Sequence, residues 1–518
     1  MADVSFERGS TDGSNCNQND ALCLLCKLLR SNGRISLSNV TPTIHFSFSV
    51  KATRQRRYGW SNQGMKMSEI KFREMPADFL WGAATSSYQI EGGFAAGDRG
   101  RCIWDDMCDV PGKISDNTKD SKGVDHLNRW EEDLDLIESM GFDSYRFSIS
   151  WPRVQPGGRG QFNESGIAFY NNLIDGLISR GIEPNLTLYH WDLPSELQAI
   201  GGWTNPEVVD LFAEYAAEMA KRFGSKVTYW ATLNEPWCVA YLGNLEGVHA
   251  PGIQDLSTAI KVSHQLVRAH ALASKAIKTQ APHAKVGVVL NLADQNFIGE
   301  LTPELKVEMD LIDSYQNLWW LQGMLQGTYP QNLIENFKLL AGIAIDEKEI
   351  PDVSYGRDWL GVNYYAGQVL KGGGNGFEIY PGTKFIDGAP WGTEKTDIGW
   401  VWTPEGLKNL LVRLDSLFPN LPLYVTENGA CYNNEPDETG KINDLKRQEY
   451  MAVYINSVLS SLYEGVNLKG YYAWSLLDNF EWAWGFSMRF GIVHVDFRTM
   501  KRTIKESGFQ YKDLIARL

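Results

Sequence analysis

The chain has 518 residues, 43% of them hydrophobic, with 18 Trp and a formal net charge of −14. That apolar share suffices for a large core and excludes general disorder; the acidic balance excludes a nucleic-acid or anionic-membrane partner, since each needs a basic footprint. No apolar run approaches the roughly 20 residues that span a bilayer, and seven sparse cysteines, an odd number, do not read as a disulfide framework, so a reduced, cytoplasmic setting is expected.

Residues 1–66 differ from the rest, mixing Ser, Asn and Gly with an apolar patch, ALCLLCKLL, and a basic run, RQRRYGW. Asp3 and Glu7 stand where a secretory signal would be basic, so a disordered extension is expected, with a transit peptide as the alternative. Cys23 and Cys26 form a lone C-x-x-C; no second Cys/His pair follows at zinc spacing, and chance accounts for it. Ordered sequence begins after Met65 and Met67, and residues 67–518 read as one domain.

From there strand-like runs recur at 78–87, 144–151, 183–191, 227–236, 285–293, 358–366, 421–429 and 468–478. Helical stretches lie between them. In RWEEDLDLIESMG, Trp130, Leu134, Ile137 and Met140 fall on one face. In NPEVVDLFAEYAAEMAKRFG, Asn205 caps ahead of Pro206, and Gly224 is a stop. A third is LKRQEYMAVYINSVLSSLYEG. Eight buried strands alternating with helices predict a (β/α)₈ TIM barrel with enlarged loops. An open doubly wound sheet would bring a Gly-rich turn after its first strand, and none is present.

A barrel of this kind carries its chemistry at the carboxyl ends of its strands. In order, those ends present Gln89 and Glu91, Arg146, His190 and Trp191, Asn234 and Glu235, Asn291, Asn363 and Tyr365, Glu427 and Asn428, and Trp474. Each alone is explained as a loop cap. Two buried carboxylates on one rim are not, because a buried charge is costly unless compensated. Glu235 in TLNEPW and Glu427 in LYVTENG therefore pair across the mouth, which suggests glycoside hydrolysis. The eight His include no H-x-x-x-H pair, so a metal site is the weaker reading.

The motifs FLWGAATSSYQIEG, YRFSISWPR, LYHWDLP, TLNEPW, GVNYYAG, LYVTENG and WSLLDNFEW resemble, in order, the signatures of the glycoside hydrolase family one β-glucosidases. The resemblance runs from about residue 70 to the C-terminus. It implies a retaining β-glycosidase without metal or cofactor, acting on a small β-glycoside or oligosaccharide, with Glu427 as nucleophile and Glu235 as acid/base. By the same resemblance Gln89, His190, Trp191 and Asn363 look like sugar contacts, and Asn234 like the partner of the 2-hydroxyl. Arg146 and Tyr365 resemble the pair that orients the nucleophile and keeps it ionised. Trp474 resembles a floor under the sugar, and Glu481, with Trp482 beside it, the carboxylate that binds the 4- and 6-hydroxyls.

A carboxylate at Glu481 would repel a 6-phosphate, so the expected sugar is unphosphorylated, and Glu235 in place of Gln speaks against thioglucosidase activity. Trp484 departs from the acidic or small residue of many relatives and makes the rim more apolar. Trp400 and Trp402, in GWVWTPEGL, read either as an aglycone platform or as core. A non-catalytic, sugar-binding relative is the alternative class; retention of both carboxylates speaks against it. The sequon at Asn185 falls within an expected core strand and says little about secretion.

Overall fold

In a computed structural model, residues 64–517 are described apart from 73–74, 95–98, 120–121, 373–379, 381, 384–385 and 389–393. The expectations for the N-terminal extension and for Cys23 and Cys26 lie outside the described residues.

Each strand-like run supplies one barrel strand. They are β1 (Leu80–Ala84), β2 (Ser144–Ser148), β3 (Glu183–Tyr189), β4 (Tyr229–Asn234), β5 (Lys285–Asn291), β6 (Trp359–Asn363), β7 (Leu423–Asn428) and β8 (Leu468–Trp474). All pair in parallel, and β1 closes the barrel by pairing with both β2 and β8. The strands stop short of the runs that predicted them. The residues beyond each strand, such as His190, Glu235 and Tyr365, belong to the loops that rise from the rim.

The local signals for helices act as expected. Helix α1 (His126–Ser139) buries Leu134 and Ile137. Helix α2 (Pro206–Phe223) starts at an Asn205 side chain that accepts the Glu207 N–H, has Pro206 in its first turn, and ends at Gly224. Helix α3 (Leu445–Tyr463) fills the third helical stretch. Enlarged loops are present too: a small sheet of Gln295–Ile298, Gln368–Gly372 and Ile386–Gly388, and a hairpin of Val493–Asp496 with Lys501–Ile504.

Tryptophan serves two purposes. Trp104, Trp151, Trp230, Trp319, Trp320 and Trp359 are wholly buried packing residues. Trp191, Trp237, Trp400, Trp474, Trp482 and Trp484 line a cavity at the barrel mouth.

Two strands are irregular near that mouth. β4 carries one extra residue between Ala231 and Asn234 against β5. β7 carries one beyond Val425 against both β6 and β8. A bulge re-aims the side chains that follow it, and those side chains include Glu235 and Glu427. Gly429 after Glu427 is required for close approach rather than for a left-handed turn. A Cβ there would lie 1.8 Å from the Trp474 carbonyl oxygen.

The described chain is anchored at its start. In the short turn Met67–Glu69, Met67 is 1% exposed, and its carbonyl accepts from Arg517 Nη2 at 2.7 Å. Ile70 is buried beside it. A chain beginning at Met67 is expected to keep its solubility and kcat/KM. One beginning at Phe72 loses two buried side chains, roughly 3–6 kcal/mol of stability, read by chemical denaturation. A large fall in kcat/KM for the Met67 chain, with unchanged circular dichroism, would place the extension in the site.

Candidate active site

Glu427 on β7 is buried, and each of its oxygens has a donor. Arg146 Nη1 lies 2.6 Å from Oε1, and the Tyr365 hydroxyl donates to Oε2 at 2.7 Å. Arg146, fully buried on β2, donates through Nη2 to Asn234 Oδ1 at 2.8 Å. Asn363, at the end of β6, donates to the same oxygen at 3.1 Å and to Glu235 Oε1 at 2.7 Å. Its own Oδ1 accepts from Thr426 at 2.7 Å. Charge-assisted bonds of this kind are the stronger sort. They link strands β2, β4, β6 and β7 through one network.

That network also sets the state of His190. Asn234 Oδ1 is occupied by two donors, so its Nδ2 must face His190 Nε2, at 3.0 Å. Burial and the charge of Arg146 push the imidazole pKa well below its ordinary value. The ring is therefore neutral, accepts at Nε2, and carries its proton on Nδ1. Among the described residues Nδ1 has no partner, and His190 lines the cavity: a donor is held ready for a ligand.

Glu235 follows β4 with φ +46°, Trp191 has φ +79° and Trp482 φ +50°. Left-handed conformations at non-glycine residues cost of order 1–3 kcal/mol each and persist where surrounding structure over-determines them. The Trp191 indole donates to the Asn234 carbonyl at 2.9 Å. Trp474 stacks on His190, as does Trp482, which also packs on Trp191 with centroids 4.5 Å apart.

Among the described residues three carboxylates face this space. Burial, and then the charge of Glu427, raise the pKa of Glu235 to about 7. Burial, then Glu427 and Glu235, raise that of Glu481 to about 8. Glu481 comes from the loop after β8, where its N–H donates to the Gly485 carbonyl at 2.7 Å; its Oε2 has no partner among the described residues. The cavity they share is about 420 Å³, within the range of small-molecule sites. Trp400 and Trp484, 37% and 43% exposed, stand in its wall.

Of the residues expected here, Glu235, Glu427, His190, Trp191, Asn234, Asn363, Tyr365, Trp474, Glu481, Trp482 and Trp400 all line the cavity, with Arg146 behind Glu427. Gln89 does not reach the wall. Its amide nitrogen is spent on Asn479 Oδ1 and the Phe480 carbonyl, and its oxygen on Ser86. Glu91 is tied to Arg153 and Tyr170. Asn428 is held within the barrel wall by Tyr364, Tyr450 and Tyr471. Trp402 is core, donating to the Tyr432 hydroxyl, whereas Trp400 packs on Tyr365 and Phe490. Sequence reading missed Trp237, Cys238, Gln316 and His249 as lining residues. For Cys238 a signal was available, because it lies three residues after Glu235 and shares its side of a helical turn.

Buried carboxylates brought together at the mouth of a (β/α)₈ barrel, over a floor of indoles, define an O-glycosyl hydrolase. The family is also plain from comparison: the chain belongs to glycosyl hydrolase family 1, whose profile matches residues 71–518. It is 41% identical over 453 residues to β-glucosidase A of Acetivibrio thermocellus, covering 87% of this chain and 99% of the relative. β-Glucosidase 42 of Arabidopsis thaliana is 38% identical over 461 residues, covering 84% and 93% respectively. Among solved structures, the β-glucosidase of Thermotoga maritima in complex with glucoimidazole superposes with a TM-score of 0.80 at 39% identity, covering 86% of this chain and 99% of that one.

The raised pKa of Glu481 has a stability consequence. In the unfolded chain this carboxyl ionises near 4.5, and in the folded protein near 8. Between those values unfolding releases a proton, so stability falls as pH rises through the window. In Glu481→Gln that loss is absent. Its melting temperature should match wild type near pH 4 and exceed it by a few degrees at pH 8. A difference that shrinks as pH rises would contradict this environment for Glu481.

Proposed function

We propose that this family 1 enzyme is a retaining β-glucosidase that removes terminal, non-reducing β-D-glucosyl residues from oligosaccharides and from aryl or alkyl glucosides, with β-galactosides and β-fucosides as further substrates. The relatives at about 40% identity named β-glucosidase support the glucoside reading. The observation that carries the roles is the asymmetry between the two carboxylates. Glu427 takes a guanidinium on one oxygen and a phenol on the other, which suits a fixed nucleophile. Glu235 holds its proton up to about pH 7, which suits a general acid.

In the first step a Glu427 oxygen attacks the anomeric carbon from the face opposite the leaving group. The glycosidic C–O bond breaks, and Glu235 gives its proton to the departing oxygen. Glu427 is then an ester and carries no charge. The repulsion that raised the proton affinity of Glu235 is gone, so Glu235, left ionised by giving up its proton, stays a carboxylate until it takes a proton from water. That water attacks the anomeric carbon, the ester bond breaks, and glucose leaves with its β configuration. Asn234 and the Nδ1–H of His190 are donors for ring hydroxyls, and Glu481 Oε2 is the acceptor for the distal ones.

The two carboxylates should fail differently. Glu427→Ala forms no covalent intermediate; azide occupies the vacated space and gives the α-glucosyl azide. Glu235→Ala still glucosylates from substrates with good leaving groups and then stalls, and azide releases the β-azide. Proton NMR of the products distinguishes them, and swapped stereochemistry would reverse the assignment.

Sugar selection gives a separate test. Glu481→Ser removes the hydrogen bonds of the carboxyl group to the distal hydroxyls, worth roughly 0.5–1.5 kcal/mol each for a neutral group. kcat/KM for the nitrophenyl galactoside should fall much further than for the fucoside, its 6-deoxy counterpart. Equal losses on both would remove the 6-hydroxyl contact from Glu481.

A further inference from the structure

The turn that leaves β4 carries Cys238 back beneath Glu235. The Cys238 N–H donates to the Glu235 carbonyl at 3.0 Å, and its thiol donates to Glu235 Oε2 at 3.2 Å. Behind it Asn291, the last residue of β5, directs Nδ2 at Cys238 Sγ from 3.5 Å. The oxygens of Glu235 are therefore served by different groups, Oε1 by the Asn363 amide and Oε2 by the thiol. Cys238 and Asn291 both line the cavity. Burial, reinforced by the charge of Glu235, raises the thiol pKa well above its ordinary value, so the proton stays on sulfur and Cys238 acts toward Oε2 as a donor.

We propose that Asn291 and Cys238 form a positioning relay that favours the ionised form of Glu235, the form the second half-reaction requires. The proposal rests on the reading of Glu235 as the acid/base. Asn291 donates to the sulfur and polarises the S–H; the S–H donates to Oε2. A donor to a carboxylate stabilises its charge and lowers its proton affinity, opposing the burial and the Glu427 charge that raise it. The relay thereby stabilises the carboxylate that Glu235 becomes when it gives its proton to the leaving group. Other titratable groups around the pair are Glu427 from β7, Arg146 from β2, Tyr365 after β6, Glu481 after β8, and Glu246 farther along the turn that bears Cys238. Substitution at Cys238 leaves all of them in place.

The test is the pH profile of Cys238→Val and Cys238→Ala. Without the donor, the alkaline limb of kcat/KM should move up by about 0.4–1 unit. The acid limb of kcat, measured with 2,4-dinitrophenyl β-glucoside so that deglucosylation limits turnover, should move in the same direction. Cys238→Ser keeps a donor and should restore both limbs toward wild type, and Asn291→Leu should shift them the same way by less. A packing role alone would lower kcat and leave the limbs where they are, which would overturn the relay. If Cys238→Val and Cys238→Ala fail to fold, the wild-type S–H stretch, identified by its loss in Cys238→Ser, should shift as Glu235 titrates; a band that does not respond to pH overturns the proposal. Glu235→Ala separates the two levels. Azide rescue there with unmoved limbs at Cys238 removes only the relay, whereas absence of rescue with unmoved limbs removes the acid/base reading beneath it.

Discussion

The buried guanidinium of Arg146 is the fixed point of the barrel mouth. From β2 it reaches Glu427 on β7 and Asn234 on β4 at once. A buried cation is tolerable only when its charge is compensated; Glu427 supplies the countercharge and Asn234 takes a donor from Nη2, while Nε has no partner among the described residues. The consequence spreads outward. With its oxygen claimed, Asn234 presents its nitrogen to His190 and fixes the tautomer of that ring. Asn363, donating to the same oxygen, holds Glu235 with its remaining donor capacity. One ion pair thus determines the orientation of side chains from four strands.

The pairing also leaves an imbalance. Among the described residues three carboxylates line the cavity, and of these only Glu427 is in hydrogen-bonding contact with the cation. At Glu235 burial and the charge of Glu427 outweigh the donors of Asn363 and Cys238, and at Glu481 burial and its neighbours' charge act alike, so both proton affinities rise. Similar side chains therefore do different work because their surroundings differ. This is the general route by which carboxyl groups in one site become acid and nucleophile.

Such a site is costly to build, and the barrel carries the cost. The extra residues in β4 and β7 interrupt regular pairing just where Glu235 and Glu427 must turn into the cavity. Glu235, Trp191 and Trp482 adopt left-handed backbone conformations without being glycine. A closed sheet of eight strands, packed on both faces, is rigid enough to keep such departures in place. The cavity joins tightly packed groups, such as His190 stacked on both Trp474 and Trp482, to exposed indoles at Trp400 and Trp484.

Much of this was legible in the amino-acid sequence because it is local. Eight apolar runs separated by helical periodicity set the strand count. The Asn205–Pro206 start of α2 lies in two adjacent residues, and Glu235 and Glu427 stand out as carboxylates closing apolar strands. What the sequence could not supply is distance. Arg146 and Glu427 are 281 positions apart, and no spacing rule reports that they touch. The same limit hid the engagement of Gln89 by Asn479 and Phe480, the division of Trp400 and Trp402 between cavity and core, and the thiol of Cys238 beneath Glu235. Strand propensity and helix caps are properties of neighbouring residues, so the chain states them outright. Proton affinities, tautomers and the reach of a side chain depend on which distant residues the closed barrel brings within about 3 Å, and only the tertiary structure decides that.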